Sequence, residues 1–289
     1  MSRSYLFVPG DSERKLAKAV ESNADAIIID LEDSVSIDNK SRARELAAAA
    51  LADFDNAWVR INPLSSGYAD DDLAAVVGAA PVGIVLPKPR SADDAVTLAE
   101  RLERLERANG MRSGQTQILA LCTEVPAALL SLGGYVSATE RLTALSWGAE
   151  DLSEALGAMQ NRDAQGNWLP AYEMARSLCL VTASAAGVAA IDTVYTDFKN
   201  LSGLAAYAAN ARRDGFSGML AIHPAQVEVI NAAFDPTPDE VAFAKRVVAL
   251  FAADPAAGVL SLDGKMLDRP HLEQAKRLLA LAETIDNNR

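Results

Sequence analysis

The sequence predicts an α/β protein built on a (β/α)8 TIM barrel with a C-terminal helical arm. Eight short apolar or β-branched runs alternate with longer helical patterns, and eight is the number of strands that such a barrel requires. The runs are nearly continuous rather than alternating, as parallel strands covered on both faces require. The glycine-rich phosphate fingerprint of the rival doubly wound sheet is missing after the first run, where the chain reads Val8-Pro-Gly-Asp-Ser-Glu.

The predicted strands occur at intervals from the N-terminus onward. The second and fourth strands, Ala26-Ile-Ile-Ile-Asp-Leu and Gly83-Ile-Val-Leu-Pro, show the continuous apolar pattern most clearly. Runs of this kind suit strands that are buried between a barrel interior and a layer of helices. The eight predicted strands span residues 4–8, 26–31, 57–61, 83–87, 117–122, 142–147, 190–195 and 218–222.

Helix signals separate the predicted strands. Ser12 precedes a helix over 14–22, and Ser91 precedes a charged helix over 93–109 that ends at Gly110. The leucines of the charged helix recur at three- and four-residue spacing. We interpret this helix as an amphipathic barrel helix rather than a coiled-coil segment, because its length suits the barrel.

The barrel is predicted to occupy residues 1–234 and the C-terminal arm residues 235–289. The arm opens with a capping box in which Thr237 is the N-cap and Glu240 the N3 residue, and this predicts a helix. Asp263-Gly264 lies between apolar pairs and predicts a tight hairpin, which a last helix follows. The arm is therefore an addition to the barrel rather than a ninth barrel unit.

Composition and charge restrict the classes of partner. The chain has 27 Lys and Arg residues against 39 Asp and Glu residues, a net charge of −12 that would repel a nucleic-acid backbone. The apolar run at the N-terminus is too short for a signal peptide and no later run reaches membrane-spanning length, so we expect an unexported cytoplasmic protein without a membrane partner. Cys122 and Cys179 lie in apolar patterns and are predicted to be reduced core residues.

Charged and polar residues follow the predicted strands, and a barrel places these strand ends on its catalytic face. Carboxylates that converge there repel one another unless a cation compensates their charge. The chain has two histidines and no cysteine cluster, so Mg2+ or Mn2+ with oxygen ligands is a better prediction than zinc. The strand-end residues are Asp30, Glu32, Asp33, Arg60, Asn62, Lys88, Glu124, Glu150, Asp151, Asp197 and His223.

Several candidate residues have an ordinary structural explanation as well. Arg60 lies on an otherwise apolar strand and requires a partner, either a structural carboxylate such as Glu32 or a substrate carboxylate. His223 either caps the eighth strand or contacts a ligand. Arg14 and Lys18 share one helix face, which either binds phosphates at the barrel mouth or faces solvent. The residues alone leave these alternatives open.

Four segments carry a specific combination of motifs: Arg3-Ser-Tyr-Leu-Phe-Val-Pro-Gly, Asp30-Leu-Glu-Asp-Ser-Val, Gly148-Ala-Glu-Asp-Leu and Gly215-Phe-Ser-Gly-Met-Leu-Ala-Ile-His-Pro-Ala-Gln-Val. Together they resemble the citrate lyase beta-subunit-like proteins of the HpcH/HpaI aldolase superfamily, and the resemblance spans almost the whole chain. That family is similar in fold and contains Mg2+-dependent enzymes that act on acyl-CoA or acyl-carrier thioesters.

The resemblance implies roles for individual residues. Glu124 and Asp151 are implied to bind Mg2+, and Arg60 to hold the carboxylate or carbonyl of a 2-oxo acid fragment during catalysis. Asp268 is implied to reach the site of a neighbouring subunit, where it is the candidate proton shuttle. The implied substrate-binding residues are Arg60, Glu124, Glu32, Asp33 and Lys88, and the implied CoA-binding residues are Phe7, Arg14, Lys18, Ile222, His223 and Pro224.

The activity that follows is cleavage of a 3-hydroxyacyl-CoA, such as malyl-, citramalyl- or citryl-CoA, into an acyl-CoA and a 2-oxo acid, or the reverse condensation. Two alternatives stay open: a malyl-CoA-type thioesterase, and the acyl-carrier-dependent beta subunit of a citrate lyase complex. Because Asp268 is implied to act between subunits, we expect a homo-oligomer, a trimer or hexamer by the habit of the family, with the arm packing on a neighbouring subunit.

Overall fold

The structure, a computed structural model, describes residues 2–287 and the side chains of residues 2–283. Residue 1 and residues 288–289, at the ends of the two predicted domains, lie outside the described residues. The described chain divides into two compact units, with the division between Ala233 and Phe234.

The first unit contains eight parallel strands that form a closed barrel, in which β8 pairs with β1. This arrangement confirms the predicted fold class. Each predicted strand overlaps an observed one. The strands are β1 (Ser4–Pro9), β2 (Ala26–Asp30), β3 (Ala57–Arg60), β4 (Gly83–Leu86), β5 (Gln117–Leu121), β6 (Leu142–Ser146), β7 (Ala189–Asp192) and β8 (Gly218–Ala221).

The end of β7 is the main departure from the predicted strands. The strand ends at Asp192, so the prediction that Asp197 is a strand-end residue is wrong. The Asp192 carboxylate accepts a hydrogen bond from the Thr193 backbone N–H at 2.8 Å and one from the Trp147 indole at 2.7 Å, and it pairs with Arg176. A side chain that takes the next backbone N–H withdraws that donor from the sheet, and the strand stops there.

Helices follow the strands around the barrel. Ser91 caps the fourth helix by accepting a hydrogen bond from the Asp93 backbone N–H, and Gly110, at a φ of 68°, follows its end as predicted. Within residues 2–287, no helix combines the length and the apolar character that crossing a membrane requires. The helices are α1 (Glu13–Val20), α2 (Lys40–Ala50), α3 (Ala69–Val76), α4 (Ala92–Ala108), α5 (Pro126–Leu129), α6 (Ala149–Leu156), α7 (Pro170–Ala186), α8 (Leu201–Asp214) and α9 (Val227–Phe234).

The barrel interior is filled by apolar side chains from alternate strand positions. Ile28 of β2 and Trp58 of β3 are buried members of this interior cluster. Two residues further along each strand, Asp30 and Arg60 have the same inward direction, because successive side chains of a strand point to opposite faces. The polar end of the barrel interior is therefore built directly on top of its apolar core.

The two cysteines belong to this buried interior and its helical surroundings. Cys122 directly follows β5 and Cys179 lies within α7. Both are buried and neither forms a disulfide, which confirms the prediction of reduced core residues.

The second unit consists of α10 (Pro238–Ala253), a hairpin of β9 (Val259–Leu262) and β10 (Lys265–Asp268), and α11 (Arg269–Asn287). The predicted capping box is present: the Thr237 hydroxyl accepts from the Glu240 backbone N–H, and the Glu240 carboxylate accepts from the Thr237 N–H. Asp263 and Gly264 both have positive φ, 51° and 76°, as a two-residue hairpin turn requires. Leu267 on β10 packs with the apolar faces of the two helices.

Candidate active site

Six charged side chains form one connected cluster at the C-terminal mouth of the barrel. They are contributed by β2, β3 and the segments that follow β2, β4, β5 and β6. Residues distant in sequence meet here because the carboxyl ends of all eight parallel strands open on the same face. The cluster consists of Asp30, Glu32, Arg60, Lys88, Glu124 and Asp151.

Arg60 is held mainly by Asp30. Its Nε and Nη2 atoms each lie 2.7 Å from a different carboxylate oxygen of Asp30, which is a bidentate pair, and its Nη1 atom lies 3.1 Å from Glu32 Oε2. Burial alone would raise the pKa of Asp30, but the charge and hydrogen bonds of Arg60 help to bring it down to about 2. Because Asp30 takes two of the five guanidinium N–H groups, the arginine keeps donors for a bound anion.

Glu32 is buried, and one of its two carboxylate oxygens has no hydrogen bond. Its Oε2 atom forms the ion pair with Arg60, yet the orientation of the two groups gives it no hydrogen bond. Burial raises the pKa of Glu32 to about 7, although the charges of Arg60 and Lys88 oppose this effect. A buried carboxylate oxygen without a hydrogen bond is an acceptor that a ligand or an ordered water can use.

Lys88 connects the carboxylates of the cluster. Its backbone N–H donates to Glu124 Oε2 at 2.6 Å. Its ammonium group lies 2.5 Å from Glu32, 2.9 Å from Asp33 and 3.0 Å from Asp151. The backbone of Lys88 has a φ of 49°, which is uncommon for a residue other than glycine. This left-handed backbone directs both the N–H and the ammonium group of one residue toward the cluster.

Glu124 and Asp151 supply the carboxylates for which a metal was predicted. Burial, together with the charges of Asp151 and Glu32, raises the pKa of Glu124 well above its ordinary range. Among residues 2–283, no group of three or more Asp, Glu, His or Cys side chains has the arrangement of a metal site. Two carboxylates nevertheless suit Mg2+, which is usually held by one or two protein carboxylates with water and substrate oxygens completing its shell. A divalent cation would also relieve the repulsion that raises the pKa of Glu124.

Gly148 begins one of the motifs that carry the family resemblance, but the sequence assigned it no role in the site. A Cβ atom at this position would lie 2.6 Å from Glu124 Cγ and 2.8 Å from its Oε1. Its φ is −120°, so space rather than backbone conformation requires the glycine. The segment between β6 and α6 can therefore pass directly against the buried carboxylate.

All six residues predicted to contact CoA line one pocket of about 390 Å³. Its wall contains the two predicted α1 cations, the neighbouring Lys15 and the turn after β8, which is far from α1 in sequence. Phe7 also contacts the charged cluster, because the Arg60 guanidinium lies 4.7 Å above its ring. The pocket is therefore adjacent to the cluster. The six residues are Phe7, Arg14, Lys18, Ile222, His223 and Pro224.

His223 has the capping role that the sequence left open, and its contact with a ligand stays a prediction. Its Nδ1 atom accepts a hydrogen bond from the Ala225 backbone N–H at 3.1 Å, while its own backbone N–H donates to Gln226 Oε1. These bonds cap the turn after β8, and the same imidazole ring lines the pocket. The cap thus fixes the position of a side chain that a ligand in the pocket would touch.

Asp268 lies in the second unit, at the end of β10. Its carboxylate is hydrogen-bonded to His271 Nδ1, which lowers the pKa of Asp268. Its action in the site of a neighbouring subunit stays a prediction.

The sequence profile of a family described as HpcH/HpaI aldolase/citrate lyase matches residues 3–224. The chain belongs to the HpcH/HpaI aldolase/citrate lyase family. The matched range contains all eight barrel strands and every residue of the charged cluster. Membership confirms the predicted resemblance.

Relatives within the HpcH/HpaI family extend over nearly the whole chain. Citrate lyase subunit beta of Haemophilus influenzae is 36% identical over 291 residues and covers 98% of both chains. A (3S)-malyl-CoA thioesterase of Cereibacter sphaeroides is 35% identical over 289 residues, which cover 98% of this chain and 95% of the relative. The solved structure of CitE from Mycobacterium tuberculosis in complex with magnesium, acetoacetate and coenzyme A superposes with a TM-score of 0.82 at 30% identity, over 97% of this chain and 98% of that one.

Proposed function

We propose that the protein is a Mg2+-dependent carbon–carbon lyase that cleaves a 3-hydroxyacyl-CoA, such as malyl-, citramalyl- or citryl-CoA, into an acyl-CoA and a 2-oxo acid. The observation that carries the proposal is the cluster itself, in which the buried carboxylate of Glu124 and the partly exposed carboxylate of Asp151 belong to the same group of charges as an arginine that is already fixed by Asp30. The magnesium, acetoacetate and coenzyme A bound by the Mycobacterium tuberculosis relative support the same assignment.

In this proposal, Glu124 and Asp151 hold the metal. When bound, Mg2+ polarises the hydroxyl and carboxylate oxygens of the substrate and lowers the pKa of that hydroxyl. Lys88 orients both ligands, since its N–H donates to Glu124 and its ammonium group pairs with Asp151. Glu32 and Asp33 in turn fix the ammonium group of Lys88.

Arg60 binds the carboxylate of the half of the substrate that leaves as the 2-oxo acid. In cleavage a base takes up the proton of the C3 hydroxyl, this C–O becomes the carbonyl of the 2-oxo acid as the C2–C3 bond breaks, and the electron pair of that bond passes to the thioester half as an enolate. Arg60 contributes fixed positive charge to the departing oxo acid, and its rigid pair with Asp30 means that little reorganisation is needed during the reaction. Asp268 of a neighbouring subunit is the proposed donor of the proton that the enolate carbon takes up, which requires a homo-oligomer.

Hydrolysis of malyl-CoA is the second candidate function. It is favoured by the (3S)-malyl-CoA thioesterase of Cereibacter sphaeroides, whose identity to this chain is within one percentage point of that of the citrate lyase subunit. The same cluster could activate a water molecule for attack on the thioester carbonyl. The two reactions differ in their products, because hydrolysis releases free CoA and no oxo acid.

The test is an assay with Mg2+ and malyl-, citramalyl- and citryl-CoA that measures acyl-CoA, oxo acid and free CoA separately. We expect acyl-CoA and oxo acid in equal amounts from one of the esters, and loss of turnover with EDTA. Asp151→Asn should lower kcat/KM by about 10²- to 10³-fold, whereas Glu150→Gln, at an exposed neighbour that accepts from Asn161, should not. Free CoA without oxo acid would reject the lyase in favour of the thioesterase.

Gly148→Ala should disturb the metal site through Glu124 alone. The added methyl group would displace the Glu124 side chain, and we expect Mn2+ affinity to fall about tenfold and stability by about 1–3 kcal/mol. Calorimetric titration with Mn2+ and thermal unfolding measure the two effects. Gly133→Ala is the control, since its methyl group meets nothing within 4 Å. Equal Mn2+ affinity in both variants would contradict this role of Gly148.

A further inference from the structure

We infer that a further cavity of the barrel binds a free α-amino acid with an aromatic side chain. The cavity is lined by the segment that joins α6 to α7, the start of α7, the loop after β7 and helix α8. Its volume of about 740 Å³ is within the range of small-molecule sites. It shares no lining residue with the charged cluster or with the pocket beside α1, so the inference does not rest on the proposed function.

The carboxylate of the amino acid is assigned to Arg162. The Cζ atom of this guanidinium lies 3.4 Å from the centroid of the Trp168 ring, and a guanidinium that stacks on a ring keeps its edge free for a carboxylate. Its Nη1 atom donates to the Gly166 carbonyl at 2.7 Å, which leaves further N–H groups for a ligand. Among the side chains that the structure describes, no carboxylate forms an ion pair with Arg162.

The segment that carries Arg162 is a small, internally bonded hairpin. Arg162 and Trp168 are opposite each other in an antiparallel bridge. Between them, the Asp163 carboxylate accepts hydrogen bonds from the backbone N–H groups of Gln165 and Asn167, at 2.9 and 2.8 Å. The guanidinium is therefore held in place before a ligand arrives, and binding costs little further conformational entropy.

The same cavity offers carboxylates to an ammonium group. Glu173, at the start of α7, and Asp197, in the loop after β7, line the cavity, and within the described part of the chain neither has an ion-pair partner. The two other arginines of the wall, Arg176 and Arg213, are both within ion-pair distance of Asp214. A simple anion at Arg162 would be repelled by the free carboxylates, whereas a zwitterion matches both signs of charge.

Aromatic rings supply the apolar part of the wall. The centroids of Tyr195 and Tyr207 are 5.8 Å apart, and that of Tyr207 is 6.4 Å from that of Trp168, so the three rings are contiguous. All three residues line the cavity. Aromatic side chains gain affinity from contact area and ring geometry together. The wall therefore favours an amino acid with an aromatic side chain over a small one.

Two of the three tryptophans of the chain are connected to this cavity. The Trp168 indole N–H donates to the Tyr207 hydroxyl at 3.3 Å, and that hydroxyl donates to Asp192 at 3.2 Å. Asp192 also accepts from the Trp147 indole at 2.7 Å, and the two indole rings are in edge contact at 5.0 Å. The third tryptophan, Trp58, belongs to the apolar cluster of the barrel interior. Tryptophan fluorescence therefore reports binding in the cavity.

The test titrates the full chain with L-phenylalanine and follows tryptophan fluorescence and heat, so that no turnover is required. Two analogues serve as matched ligands: 3-phenylpropionate lacks the ammonium group and 2-phenylethylamine lacks the carboxylate. We expect L-phenylalanine to bind with a Kd below about 1 mM, and each analogue to bind at least about tenfold more weakly.

Two variants assign the charges of the ligand to the wall. Arg162→Gln should weaken the binding of L-phenylalanine about tenfold and leave that of 2-phenylethylamine unchanged. Asp197→Asn, at a side chain on which no printed ion pair of the fold depends, should reduce the preference for L-phenylalanine over 3-phenylpropionate. Arg107→Gln, at an exposed arginine of α4, is the control and should change none of the affinities.

Three results would overturn the inference: no saturable signal with L-phenylalanine up to millimolar concentration, equal affinity for L-phenylalanine and either analogue, or unchanged affinities in both Arg162→Gln and Asp197→Asn. Equal binding of 3-phenylpropionate would make the cavity a simple anion site, and equal binding of 2-phenylethylamine a simple cation site. Because every readout is a binding measurement, the inference holds or fails independently of the proposed lyase.

Discussion

Glu124→Gln is expected to remove most of the activity and at the same time to make the folded protein more stable. Burial and the charges of Asp151 and Glu32 disfavour the ionised form of this side chain. A glutamine has the same shape and keeps an oxygen for the N–H of Lys88, so the substitution removes the repulsion without opening a cavity. The variant also lacks one of the two proposed metal ligands, and we expect kcat/KM to fall by about 10²- to 10³-fold.

Differential scanning calorimetry with and without Mg2+ measures the stability half of this prediction. In the absence of the ion, the variant should unfold a few degrees above the parent. Added Mg2+ should raise the unfolding temperature of the parent and not that of the variant, because an ion stabilises only a protein that binds it in the folded state. Glu150→Gln serves as the control for loss of a carboxylate that lies outside the charged cluster. Equal stabilisation of Glu124→Gln and the parent by Mg2+ would show that Glu124 is not a ligand.

Asp30→Asn is expected to cost about 3–5 kcal/mol of stability, because it leaves a buried guanidinium without its main partner. Activity should fall as well, since the orientation of Arg60 depends on both oxygens of Asp30. Urea unfolding measures the first effect. Asp70→Asn is the matched control: its carboxylate is 80% exposed in its pair with Arg101, and removal should cost less than about 1 kcal/mol. Similar losses in both variants would contradict the structural role of Asp30.

The ion pair of Asp30 with Arg60 also predicts how the stability of the protein depends on pH. The pKa of Asp30 is about 2 in the folded protein against an ordinary value of 3.8, so the folded state releases this proton more readily than the unfolded state. The stabilisation by Asp30 is therefore fully present above about pH 4 and is lost as the pH falls through about 2. Unfolding free energies measured across this window should fall more steeply for the parent than for Asp30→Asn.

The barrel could be predicted from the sequence because both faces of its strands are buried. Ile28 and Ile29 point to opposite faces of β2 and both are fully buried, which is why the run is continuously apolar. The end of β7 could not be predicted in the same way. Thr193-Val-Tyr has the composition of a strand, and only the hydrogen bond from the Thr193 N–H to Asp192 shows that the sheet has ended.

The candidate site could be predicted as a set of residues but not as a set of contacts. The position of Lys88, Glu124 and Asp151 after strands places them at one mouth, which the structure bears out. The sequence did not determine which side chain pairs with Arg60. The partner depends on which residue of β2 lies opposite Arg60 on β3, and that register is set when the barrel closes. The role of Gly148 and the left-handed backbone of Lys88 could not be predicted, because each residue meets Glu124, which follows a different strand.

The pair of Asp30 and Arg60 has a consequence for folding itself. The two residues are directly opposite each other on β2 and β3. If β3 slipped by one residue during folding, Arg60 would turn from the barrel mouth into the layer of helices, and Asp30 would remain as a buried and unpaired charge. A misassembled barrel would therefore be both unstable and inactive. The ion pair that orients Arg60 at the barrel mouth therefore also favours the correct pairing of β2 with β3.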